Sequence, residues 1–349
     1  MTNTRSLRLS LATLALAGAS LLPFAASAQG TVNIYTSRQP ELIQPLLDAF
    51  TEETGIQTEV LFLNQGLEDR VDAEGQNSPA DVILTVDIGR LINTKEKGVT
   101  QSLENETISA NIPEQYRDPE GHWFGLTMRG RVIYASKDRV EQDTITYEEL
   151  ADPKWKGKVC MRSGQHMYNI ALIASMIANN GEEKTEEWLK AVKENLAAKP
   201  DGGDRDQARA IFAGECDVGL GNTYYVGLMM NNDKEPEQKE WADAIKVLFP
   251  NAEDRGTHVN ISGMALAKHS PNKDNAIKLM EFLSSEEAQA IYAEDNNEYP
   301  LLPGAAISET VKTFGEIKPD TLSLSEVAKY RKQASELVDR VGLDDGPAS

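Results

Sequence analysis

Apolar and polar positions follow two different periods along this chain, and each change of period marks an element. Val32-Asn33-Ile34-Tyr35 predicts a strand, followed by a turn through Thr36-Ser37-Arg38-Gln39-Pro40. Leu42, Ile43, Leu46, Leu47 and Phe50 then recur at spacings of one, three and four, which predicts a helix that Gly55 ends. Next come a strand over 57–63, a helix over 66–74 and the buried strand Asp81-Val82-Ile83-Leu84-Thr85. This β-α-β-α-β order predicts a parallel sheet, to which ligands come at the carboxyl ends of the strands. Thr36-Ser37-Arg38 and Thr85-Val86-Asp87 both stand at such ends.

A second alternating region begins near Arg131. It predicts a strand over 158–161, an apolar helix over 169–178, an amphipathic helix over 184–196, a Gly202-Gly203-Asp204 turn, a helix over 205–213 and a strand over 216–220. Two long extended stretches, 126–135 and 258–267, have the character of strands that cross between lobes. The helical pattern resumes at Asn272, and Pro300 and Pro303 mark a loop before the terminal helices. There is no internal repeat and no low-complexity tract. The pattern predicts a two-lobed α/β protein with discontinuous lobes and a cleft: 29–128 with 264–308 in one lobe, 129–263 with 309–349 in the other.

The first 28 residues change the setting of that fold. Arg5 and Arg8, the mostly apolar run from Leu9 to Phe24, and Ala26-Ser27-Ala28 have the order of a secretory signal. A membrane anchor is the other reading of such a run, but Ser10, Thr13, Ser20 and Pro23 interrupt it below the length of a span. Gln29 follows the cut, so no cysteine stands there to carry a lipid. The expected product is a soluble exported protein with no membrane insertion, most simply in a bacterial periplasm. Removing two arginines takes the formal charge from −20 to about −22, which argues against nucleic acid and anionic membranes as partners. The two cysteines, Cys160 and Cys216, each lie beside a predicted strand; in an exported chain an even count points to a disulfide. The alternative, a metal-thiolate site, lacks further cysteines.

The candidate chemistry gathers at strand ends and turns. Tyr224-Tyr225 sits in Gly219-Leu220-Gly221-Asn222-Thr223-Tyr224-Tyr225-Val226-Gly227, just after the predicted strand. Neighbouring side chains of a strand diverge, so two adjacent phenols reach one point only where the strand gives way to a turn or helix. The ordinary arrangement has one ring in the core and the other at the surface. Tyr168, at a loop-to-helix junction of the same lobe, supplies a third phenol. Phenolate is a hard anionic oxygen ligand suited to a hard, highly charged cation. Three would balance Fe³⁺ and fill half of the six positions it usually takes. A bidentate oxyanion would fill two more, held by the planar fork of an arginine. Arg38, with Ser37 and Gln39 beside it, and Arg129 suit that role from the other side of the cleft. For Arg129 and Arg131, on one strand, the ordinary expectation is one partner inward and one solvated.

These segments resemble the periplasmic ferric-ion-binding proteins, the soluble receptors of ATP-driven iron importers. The resemblance rests on Val32-Asn33-Ile34-Tyr35-Thr36-Ser37-Arg38, Ser78-Pro79-Ala80-Asp81-Val82, Trp123-Phe124-Gly125-Leu126, Lys156-Gly157-Lys158-Val159-Cys160, Arg162-Ser163-Gly164, Gly202-Gly203-Asp204-Arg205, Asn222-Thr223-Tyr224-Tyr225 and Asn260-Ile261-Ser262-Gly263. It implies the type II two-lobed solute-binding fold closing by a hinge. It further implies a monomeric receptor with an inner-membrane ABC permease and its ATPase as partners. In many relatives His-Tyr follows the first Ser-Arg and supplies iron ligands from the first lobe; here those positions are Gln39 and Pro40. The departure resembles the branch that relies on three tyrosines and a synergistic anion, commonly carbonate. Tyr35 lies within the first strand and is expected to pack.

Other chemistries find little support. The four histidines show no His-x-x-x-His or His-x-His spacing, and there is neither a Gly-x-Ser-x-Gly elbow nor a P-loop. His122 and His269 read as surface or loop residues, and Met229-Met230 as helix packing. Asp81, Asp87, Asp204 and Asp206 stand where helix capping or turns explain them. A binding protein without catalysis is expected, and the runner-up is a receptor for a small organic or phosphorus oxyanion.

Overall fold

The computed structural model describes residue 1 and residues 30–347; apart from Met1, the expected export signal over 1–28 lies outside the described residues. Nine strands are present among them: β1 Thr31–Thr36, β2 Gln57–Phe62, β3 Val82–Thr85, β4 Phe124–Ser136, β5 Val159–Cys160, β6 Val218–Asn222, β7 Ile245–Leu248, β8 Val259–Leu266 and β9 Tyr299–Pro300. They follow the order β2-β1-β3-β8-β4-β6-β5, with β7 and β9 also pairing with β4. β1 runs parallel to β2 and β3, as the alternating opening predicts, and β8 then adds to β3 antiparallel.

The helix Pro40–Thr54 forms where expected. Pro40 occupies its first turn, Ile43, Leu46, Leu47 and Phe50 are its buried stripe, and Gly55 ends it at φ 72° in the left-handed region. Packing that stripe against the sheet contributes about 2 kcal/mol for each large side chain removed from water.

β4 is the element that joins the two halves. All thirteen of its residues are buried, because both of its faces are covered. From Phe124 to Gly130 it pairs with β8 and β9; from Arg131 onward it pairs with β6 and β7. The expected extended stretches 126–135 and 258–267 are therefore β4 and β8, side by side. One hydrophobic core lies largely around β1, β3 and β8, and a second packs the helix Met167–Asn180 against β5, β6 and the C-terminal helix Arg331–Val341.

Some expectations shift. The strand before the tyrosine pair begins two residues later than its apolar run suggests, and Cys216 precedes β6. β7 and the short helices Glu106–Asn111 and Glu237–Asp243 carry too few periodic positions to be read from pattern. Cys160 and Cys216 form a disulfide with Cα atoms 5.9 Å apart, tying β5 to the approach of β6.

Candidate functional site

Two helix starts bring the phenols together. Tyr168 is the second residue of the helix Met167–Asn180, whose cap is His166: its Nδ1 accepts the Tyr168 backbone N–H at 3.3 Å. Tyr224 and Tyr225 lie in the first turn of Thr223–Met230, directly after β6. The helical turn, not the strand, lets both rings face one side, with centroids 4.2 Å apart. The hydroxyls of Tyr168 and Tyr224 are 3.0 Å apart. All three rings line a cavity of about 530 Å³. The first turn of a helix also favours negative charge, because its unsatisfied N–H groups point outward.

Electrostatics decide the state of these phenols. Burial, reinforced by the phenols of Tyr168 and Tyr225, pushes the Tyr224 hydroxyl well above its ordinary value. Burial first and Tyr168 second raise Tyr225. Both therefore stay protonated until a stronger charge replaces the proton. Guanidinium groups already stand around them: Arg162 at 5.4 Å, Arg129 at 5.9 Å and Arg131 at 5.9 Å from the Tyr168 ring centre, and Arg205 at 5.6 Å from that of Tyr225. Burial, with Arg162 as the next cause, lowers His166 to about 4.

Arg129 and Arg131 depart from the expected inward-outward split. Both are buried, since residues two apart share one face of a strand and β4 has no solvated face. Arg131 has a structural task. It donates to Asp204 at 2.6 Å, Asn169 at 2.7 Å and Asn222 at 3.1 Å. Asp204 is not the simple cap or turn residue its position suggests. Its carboxylate is buried, also accepts from Arg162 at 3.1 Å and from the Asn222 backbone at 2.9 Å, and so fixes the approach to the tyrosine pair. Asp206 and Asp87 do cap, bonding the Gly203 and Gly89 N–H groups.

The expected anion-side residues all line the same cavity: Ser37, Arg38, Gln39 and Arg129. Arg38 and Arg129 are buried, and both donate to the Ser262 hydroxyl, Arg129 at 3.4 Å. Arg129 also donates to the Val86 carbonyl, and Arg38 to the Glu298 carboxylate at 2.8 Å. The buried Ser37 hydroxyl has no hydrogen-bond partner among the described residues. Gln39 is exposed at the rim. Tyr35 packs as expected, with its hydroxyl on Glu74.

Arg162, His166 and Arg205, which stand in or beside the motif segments but were given no role, line the cavity, and so does Glu298, which was not singled out. Arg162 and His166 belong to the same loop as Tyr168 and were legible as its neighbours. Glu298 is 260 residues from Arg38 in sequence, and no local pattern marks it. Among the described residues, no group of three or more His, Cys, Asp or Glu side chains is placed to hold a metal ion. The oxygens available in number are phenols, which become anionic only on losing their protons.

The chain is similar throughout to known transport proteins. It is 44% identical over 316 residues to Iron uptake protein A1 of Synechocystis, covering 90% of this chain and 88% of that one. A Bordetella ferric binding protein of known structure superposes with a TM-score of 0.85 at 55% identity, over 90% of this chain and 99% of that chain. A Trichodesmium protein solved in complex with iron and citrate ligands gives 0.86 at 43% identity, over 90% and 100%. The fold is the two-lobed type II solute-binding fold, its discontinuous lobes joined by crossing strands. The family model for bacterial extracellular solute-binding proteins matches residues 77–314, and this chain belongs to that family.

Proposed function

We propose that this protein is a periplasmic receptor that binds ferric iron and delivers it to an ABC importer, made of an inner-membrane permease and its ATPase. The convergence of Tyr168, Tyr224 and Tyr225 on one arginine-lined cavity carries the reading. Three phenolates neutralise Fe³⁺, and their protons leave as the metal enters. Carbonate, supplied as bicarbonate, is the synergistic anion of this reading, with Arg38, Arg129, Ser37 and Gln39 as its partners. The names and structures of the relatives support the cargo, and membership of a solute-binding family supports transport over catalysis. Among the described residues no helix is long and apolar enough to cross a membrane. On this reading the receptor is a monomer that meets its permease at the bilayer. The lobes divide at the β4 and β8 crossings, giving 29–128 with 264–308 and 129–263 with 309–349.

The test is a visible spectrum of the purified protein with ferric iron and bicarbonate. Ferric tyrosinate is coloured, and the band should bleach with a strong ferric chelator. Tyr168→Phe, Tyr224→Phe and Tyr225→Phe should each weaken binding on the order of 100-fold and shift the band. A colourless native protein that nonetheless takes up a small organic or phosphorus oxyanion would replace this reading with an anion receptor.

A further inference from the structure

Glu298 is a buried carboxylate on the wall of the cavity, opposite in charge to the arginines that surround it. Its Oε2 accepts from Arg38 at 2.8 Å and from the Thr127 hydroxyl. Arg38 in turn donates to Ser262, the same hydroxyl that Arg129 reaches at 3.4 Å. Glu298, Arg38, Ser262 and Arg129 thus form one connected chain across the floor of the cleft. Within this hydrogen-bonded chain, two positive charges and one negative charge leave a single net positive charge.

The loop that carries Glu298 is also seated on the tyrosine helix. Asn297 holds φ at 55°, in the left-handed region that asparagine tolerates. Its side chain lies against Gly227, where a Cβ would stand 2.4 Å from the Asn297 Cγ. Gly227 is three residues beyond Tyr224 in the same helix, so only a residue without a side chain lets the loop approach. One loop therefore contacts the metal side and supplies the counter-charge of the anion side.

We infer that Glu298 is a specificity-determining residue of the anion subsite: it holds Arg38 in the cleft and, by offsetting one of the two arginine charges, matches the site to a small anion of low charge. This rests on the proposed role of Arg38 and Arg129. A carboxylate beside the subsite repels a more highly charged anion such as citrate more than a less highly charged one such as bicarbonate or carbonate, and the low-dielectric surroundings make that difference large. Removing its charge frees the second arginine for a more highly charged ligand.

The experiment compares bicarbonate with citrate, by calorimetric titration of the full mature chain without iron and again by growth of the iron band. Glu298→Gln should lower the half-saturating citrate concentration about tenfold relative to bicarbonate, about 1.4 kcal/mol by the ratio of constants. Thr127→Val, which leaves the carboxylate charged, should keep the native preference. Arg38→Gln alone strands the carboxylate and should lose anion binding, while the neutral pair Arg38→Gln with Glu298→Gln should recover it through Arg129. This pair also keeps the test decisive if Glu298→Gln does not fold. Unchanged anion preference in Glu298→Gln, or a double variant no better than Arg38→Gln, overturns the inference. Absence of an iron band in the native protein would instead strike the iron reading, and the iron-free titrations would still judge Glu298.

Discussion

A buried phenol gives up its proton only to a charge that holds its oxygen more strongly than hydrogen does. Tyr224 and Tyr225 are raised by burial first and by neighbouring phenols second, so the metal-free site holds their protons across the physiological range. In the proposed site ferric iron must displace them. On that reading the metal-free state binds more protons than the loaded one, so affinity should rise with pH and fall in acid. Each proton released steepens this by about tenfold per pH unit. Iron titrations between pH 5 and 8 should give a slope between two and three for log affinity against pH, corrected for iron hydrolysis (on the order of one proton per phenol). A flat profile would mean that the phenols do not ionise on binding. His166 contributes no slope in that range, since burial has already lowered it to about 4.

At the scale of elements, the site is as rigid as the two helix starts that carry it. β6 leads directly into Thr223–Met230, and the disulfide clamps the approach to β6 onto β5. The bridge spans a sequence separation of 56 residues, for which the chain-entropy model gives roughly 4 kcal/mol of stabilisation. The bridge stands at the opposite end of β6 from the tyrosines. Reduction, or Cys160→Ala with Cys216→Ala, should therefore lower the unfolding midpoint in denaturant while leaving the position of the iron band unchanged. A band that moves on reduction would show that the bridge shapes the site itself. Asp204 works beside it, holding Arg131, Arg162 and the Asn222 backbone in one buried knot.

At the scale of the molecule, the cleft opposes two kinds of group. Phenols come from one side, Arg38 and its partners from the other, and β4 passes between them carrying Arg129. An anion held by Arg38 and Arg129 while bound to the metal would tie the halves together, so anion binding and closure are expected to be coupled. Bicarbonate should tighten ferric binding in the native protein, and Arg129→Ala should lose most of that gain. Small-angle scattering should report a more compact particle with iron and bicarbonate together than with neither. Equal affinity in anion-free buffer would mean that protein ligands complete the coordination instead.

The amino-acid sequence alone determined the elements whose apolar positions are periodic and the motifs that are local. Leu42 to Phe50 announces a helix, Val82 to Leu84 a buried strand, and Asn222-Thr223-Tyr224-Tyr225 a strand-to-helix junction where two phenols can face one side, because each is set by neighbours a few residues away. Tyr168 was legible for the same reason, as part of the Arg-Ser-Gly loop. Only the tertiary structure decided the rest. β4 is buried on both faces, so Arg131 turns inward to Asp204 where an edge position would have let it meet water. Glu298 reaches Arg38 across 260 residues, and Gly227 owes its lack of a side chain to Asn297. Such pairings cost nothing locally and leave no periodic trace. They arise because a buried charge or a close approach must find its partner wherever the fold brings one.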